Sequence, residues 1–150
     1  MLAQTEYLLR SSGLSGERLA RELAPVEAEV GRIRRLAAGG AEPPVMGAGA
    51  AYWREVLALD PAREFAAVSV PVLLMQGERD YQVTMEDFGA LKTALAKRRD
   101  AIAKSYPRLN HLFVAGEGPS VPGDYEKAGF VDAAVIDDLA GFVFGRITTR

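Results

Sequence analysis

Apolar residues at Leu19, Leu23, Val26, Val30, Ile33 and Ala37 recur at intervals of four and three, with Arg and Glu between them. This spacing lays one apolar stripe along a helix, and such a stripe needs something to pack against. Pro25 falls inside the pattern, where it removes a backbone donor and crowds the preceding turn, so a kink or two helices meeting near Ala24 is expected. A heptad of this length fits packing within one chain better than a coiled-coil dimer. The turn-rich stretch Ala38-Gly-Gly-Ala-Glu-Pro-Pro44 then ends the periodicity, and the chain is expected to divide there into a helical segment, residues 1–42, and an alternating strand and helix portion, residues 43–150.

Beyond that division a short helix is expected from Ala50 to Leu59, with Trp53 and Leu57 on one face, ended by Asp60-Pro61 because a residue before proline leaves the helical region. Val68 to Gly77 is a nearly continuous apolar run closed by glycine, the pattern of a strand buried on both faces. Met85 to Lys97 reads as a helix with Phe88, Leu91 and Leu95 at helical spacing, and Ala101 to Tyr106 as a second strand before Pro107. Strand, helix, strand implies a parallel pair, and hence an α/β fold class. A long Gly- and Pro-containing loop, Ala115 to Gly129, precedes a closing helix from Val131 to Ile147, with Val135, Leu139, Phe142 and Val143 on one face and Asp132 at the cap.

Composition narrows the chemistry. The chain has 150 residues, 49% hydrophobic and 25% charged, enough for one globular domain with a core that needs no bridges or metals. With no Cys and one His, zinc sites built from thiolates or several imidazoles are excluded within one chain, and zinc and redox chemistry are set aside. A net charge of −2 leaves no overall basic surface to drive nucleic-acid binding. No apolar run approaches the roughly 20 residues of a membrane-spanning helix, and the start Met1-Leu-Ala-Gln-Thr-Glu lacks a signal-peptide pattern. The expectation is a cytoplasmic protein with no membrane partner.

In a parallel sheet, ligands bind beyond the carboxyl ends of the strands. Two such ends exist here, Gly77-Glu78-Arg79-Asp80 and Arg108-Leu109-Asn110-His111. They place a carboxylate and the sole imidazole at one sheet edge, as an Asp/His pair in which the carboxylate would fix the tautomer and leave the second ring nitrogen as a general base. The bland alternatives are a surface-loop histidine, and an Asp80 that serves its turn or pairs with Arg79 or Arg108. Gly47-Ala-Gly49 follows prolines rather than a strand and carries Tyr52 at the third glycine position, so a dinucleotide fingerprint fails. Glu78, Asp80, Glu86 and Asp87 match no calcium loop, and Glu86 and Asp87 suit the start of their helix. Arg32, Arg34 and Arg35 read as a solvated helical end. Tyr52 and Trp53, at helical spacing, read as core aromatics rather than substrate contacts.

Pro71-Val-Leu-Leu-Met-Gln-Gly-Glu-Arg-Asp80, followed by Asn110-His111-Leu-Phe and a terminal helix, resembles the C-terminal part of an α/β-hydrolase, most of all serine hydrolases of the dienelactone-hydrolase and prolyl-oligopeptidase-like kind. The resemblance covers about Tyr52 to Phe144. It implies a partial α/β-hydrolase sheet, made of the last parallel strands with flanking helices and preceded by a helical cap-like segment. It implies Asp80 as triad acid, His111 as triad base, and Tyr52 and Trp53 where a cap meets the pocket. The implied activity is esterase or peptidase hydrolysis of an acyl bond, which needs no metal or other cofactor. One departure is large: no Gly-x-Ser-x-Gly occurs, and Gly13-Leu-Ser-Gly16 reads as a loop with a Ser15 cap. The expected function is therefore the C-terminal portion of a serine hydrolase whose nucleophile lies elsewhere, or else a catalytically silent oligomerisation or binding module. Either way, two strands leave an apolar edge, which calls for a second copy, as a dimer, or for the missing N-terminal half as partner.

Overall fold

The computed structural model describes residues 1–145, which form two compact units, Met1–Asp60 and Pro61 onward. In the first unit α1 (Leu2–Ser11) and α2 (Gly16–Ala37) pack together, and α3 (Ala50–Ala58) packs on α2. Helix α2 buries Leu19, Leu23, Ile33 and Leu36, with Val26 and Val30 half-buried along the same stripe. It is one continuous helix through Pro25, not two. Pro25 and Arg21, whose carbonyl the proline deprives of its donor, are both exposed residues, and the apolar stripe holds the helix together on its other side. Ser15 occupies the N-cap position of α2, but its side chain makes no capping hydrogen bond.

The first unit's core joins Ile33, Leu36 and Val45, with Ala50 and Trp53 packed against it. Val45 pairs with Ala48 across a tight turn whose central residues, Met46 and Gly47, both have positive φ, the geometry of a hairpin turn. The Trp53 indole N–H donates to the Val45 carbonyl at 3.2 Å. Residues 43–60 thus lie with the helical segment: the composition break at Pro43-Pro44 is a connection inside the first unit, and the compact units divide between Asp60 and Pro61.

In the second unit, Pro61 begins a helix, α4 (Pro61–Ala67), which the sequence reading lacks. Proline at the first helical position gives up only a donor that would be unpaired anyway. Strand β1 (Val72–Gly77) begins after Pro71 rather than at Val68, since proline cannot donate to a ladder. It pairs in parallel with β2 (Ala101–Tyr106), in register from Val72 opposite Ala101 to Gly77 opposite Tyr106. The two are joined through α5 (Met85–Leu95), which starts at a reciprocal capping box between Thr84 and Asp87 and buries Phe88 and Leu95. The expected strand buried on both faces is not met: Val72 to Met75 are half-buried and only Gln76 and Gly77 are buried, because β1 has one strand neighbour among the described residues.

The closing helix, α6 (Ala133–Val143), is capped by the Asp132 carboxylate, which accepts from the Ala134 N–H at 2.9 Å. Its predicted extension to Ile147 lies outside the described residues. Of the expected apolar face Val135 is buried and Phe142 half-buried, while Leu139 and Val143 are exposed. Asp138 ties α6 to β2 by accepting from the Lys104 ammonium at 2.5 Å and the Tyr106 hydroxyl at 2.8 Å. The result is a mixed helix and strand chain with a small two-stranded parallel sheet, consistent with a partial α/β fold. No described helix is long and apolar enough to cross a membrane.

Candidate active site

The paired strand ends carry the site. Past Gly77 the ladder continues for one bond, Glu78 N–H to Tyr106 carbonyl at 3.0 Å, and a turn closes from Asp80 N–H to the Gly77 carbonyl at 3.1 Å. Past Tyr106 the Leu109 N–H turns back to the Tyr106 carbonyl, and the Arg79 N–H donates to the Leu109 carbonyl at 3.0 Å. The two turns are thereby laced together. A Cβ at position 77 would overlap the Leu109 and Asn110 carbonyl oxygens, so glycine is needed where the second loop crosses the end of β1.

Asp80 is the centre of a converging hydrogen-bond set. Oδ1 accepts from the Gln82 and Val83 N–H groups at 2.8 and 3.0 Å, and Oδ2 from the Gln76 side-chain amide at 3.1 Å. The remaining contact is His111 Nδ1 to Oδ2 at 2.7 Å. The Asp80 side chain is 5% exposed, the imidazole 39%. A carboxylate can only accept, so Nδ1 carries the proton of this bond. In the neutral imidazole this leaves Nε2 as the acceptor nitrogen, and among the described residues Nε2 has no hydrogen-bond partner. The arrangement can take a proton at Nε2 while the buried carboxylate stabilises the imidazolium formed.

Asn110, 2% exposed, shapes the loop that presents His111. Its side-chain oxygen accepts from the Leu112 and Val114 N–H groups at 3.0 and 3.1 Å, its own N–H donates to the Val114 carbonyl, and Phe113 closes the turn at φ 56°. The loop's arms meet where Leu109 bridges Ala115. Gln76 and Asn110 are absent from the residues that sequence reasoning singled out. A signal existed for Gln76, the one amide in an otherwise apolar strand; Asn110 looks like any turn residue.

The other candidates are engaged elsewhere in their own units or make no bond to this pair. Arg79 does not pair with Asp80; its guanidinium meets Asp124 at 3.1 Å. Glu78 accepts from the Ser105 hydroxyl at 2.7 Å, and Asp87 is used in the α5 cap. No cluster of three or more metal-ligating side chains occurs among the described residues. Tyr52 and Trp53 lie in the first unit, edge to face at 5.1 Å, with Tyr52 exposed and Trp53 half-buried.

Over 96 residues the chain is 41% identical to Esterase EstD from Thermotoga maritima. The chain is related to an esterase. The aligned stretch is 64% of this chain and 23% of that esterase, so the chain spans less than a quarter of its relative's length. No family model and no solved structure matches the chain. The relationship supports hydrolase-like chemistry.

Proposed function

We propose that the chain supplies the acid and base of a serine-type esterase, with Asp80 orienting His111 and His111 activating a serine carried by a polypeptide segment outside these 150 residues. The 2.7 Å bond between the buried Asp80 carboxylate and Nδ1 of a partly exposed imidazole carries this reading. In the reaction, Nε2 takes the proton of the serine hydroxyl as its oxygen attacks the acyl carbonyl. The imidazolium then protonates the leaving oxygen as the tetrahedral intermediate collapses to an acyl-enzyme, and water repeats the sequence to release the acid. The dienelactone-hydrolase and prolyl-oligopeptidase-like kind is the closer grouping we favour, with ester or peptide-like acyl substrates.

Labelling with a serine-directed fluorophosphonate tests this. The 150-residue chain should not label, because it has no Gly-x-Ser-x-Gly. The longer polypeptide read in the same frame should label, and its ester turnover should fall by about 10⁴-fold or more in His111→Ala. Unchanged turnover in that variant, or a frame with no such serine, contradicts the proposal. A second reading, a catalytically silent oligomerisation or binding module with a hydrolase-derived fold, is favoured by exposed apolar side chains on α6 and in the segment before it, with Phe130 91% exposed.

A further inference from the structure

We propose that Arg79 is a positioning residue that sets the Asp80–His111 distance by tying the loop carrying His111 to the turn carrying Asp80. This rests on reading those two residues as an acid–base pair. Arg79 is the neighbour of Asp80 in sequence, yet its guanidinium makes no bond to the Asp80 carboxylate. Its side chain is only 9% exposed, and a charged group so far out of water needs a full set of acceptors. All of them come from the segment after β2. Nε donates to the Gly118 carbonyl at 2.8 Å, Nη2 to the Glu117 carbonyl at 3.2 Å and Asp124 Oδ2 at 3.1 Å, and Nη1 reaches the Arg108 carbonyl at 3.5 Å. The Arg79 backbone N–H grips the same segment at Leu109.

These bonds brace both arms of the loop whose tip is His111. Arg108 and Leu109 lead into it, Gly116 closes it through an N–H bond to the Arg108 carbonyl at 2.9 Å, and Glu117 and Gly118 follow. The guanidinium lies so close to Gly116 that a Cβ there would overlap it. Asp124 is kept ionised as the counter-charge: a hydrogen bond from Lys127, then the Val121 N–H, hold its carboxyl below the ordinary aspartate value, with the charges of Lys127 and Arg79 adding to them. The planar fork is essential, because a lysine ammonium is a point charge on a different stem and cannot meet Gly118, Glu117 and Asp124 together.

His111 is the sole histidine, so histidine-selective ¹⁵N labelling of the whole chain gives one imidazole to follow. The wild type should show an Nδ1 proton protected from exchange with water, and Asp80→Asn should lose it. Arg79→Lys and Arg79→Met should lose it too, while circular dichroism and a cooperative thermal transition show the chain folded. Gly116→Ala, which leaves Arg79 in the sequence but displaces its guanidinium, should also lose the proton, and adding it to Arg79→Met should change nothing further. Retention of the protected proton in folded Arg79→Met or in folded Gly116→Ala overturns the proposal; if Arg79→Met does not fold, Gly116→Ala decides. A wild-type chain without an Asp80-dependent proton overturns the acid–base pair itself, a failure distinct from that of Arg79 alone.

Discussion

At the scale of single residues, Asp80 illustrates how a buried charge is kept in a small protein. Its two oxygens accept two backbone N–H groups, one amide and one imidazole, and each bond to a charged acceptor is stronger than one between neutral groups. Gln76 does double duty, because the same Nε2 donates to the Val83 carbonyl at 2.8 Å and so holds the far side of the Asp80 turn. Replacing it by leucine keeps the size but leaves Asp80 and Val83 short of a donor in a buried place. Gln76→Leu should therefore destabilise the chain by about 1–3 kcal/mol in urea denaturation. A midpoint equal to that of the wild type would show that water replaces the amide without cost. The pair of Asp80 and His111 is legible in the sequence from the strand-end rule alone. Its supports are less so: Gln76 stands out only as the one amide in an apolar strand, Asn110 looks like any turn residue, and Asp124 acts through Arg79, 45 positions away, a contact that exists only once the two turns are laced together.

At the scale of elements, the attachment of α6 to β2 depends on one carboxylate. Asp138 lies below the ordinary aspartate value of 3.8, chiefly through the Lys104 hydrogen bond and also through that of Tyr106. The Tyr106 hydroxyl is pushed up from 10.0, first by burial and then by Asp138. A depressed folded-state carboxyl adds stability that is complete above the unfolded value and disappears as pH falls through the folded one. The stability difference between wild type and Asp138→Asn should thus be full near neutral pH and shrink on acidification below 3.8, as read from denaturation midpoints across pH. A difference independent of pH down to the acid transition would rule out an ionised Asp138 as the tie. The elements themselves follow the apolar spacing closely for α2, α5 and β2. They depart from it at prolines, because Pro25, Pro61 and Pro71 act according to which carbonyl or ladder position they meet, and that depends on neighbours in space.

At the scale of the whole chain, the described surface keeps several large apolar side chains exposed. Ile136, Leu139 and Val143 form an exposed stripe along α6, with Phe130 and Phe144 beyond its ends, and β1 offers one edge with no strand beside it among the described residues. Surface of this kind associates. Sedimentation of the 150-residue chain should show a dimer or larger species that shifts with concentration, and Val143→Lys with Ile136→Lys should move it toward monomer. A compact monomer that binds no hydrophobic dye would contradict self-association. The two-unit division was not legible at Pro43-Pro44, since a turn-rich composition marks a break in periodicity without saying that Val45 and Trp53 fold back on α2.

The tautomer of His111 tests the account most directly. Its ¹⁵N shifts at neutral pH, measured on the intact chain, should show a protonated Nδ1 and an unprotonated Nε2, with that preference abolished in Asp80→Asn. An imidazole that carries its proton on Nε2, or that behaves identically with and without the Asp80 carboxylate, would contradict the proposed acid–base pair and the esterase chemistry built on it.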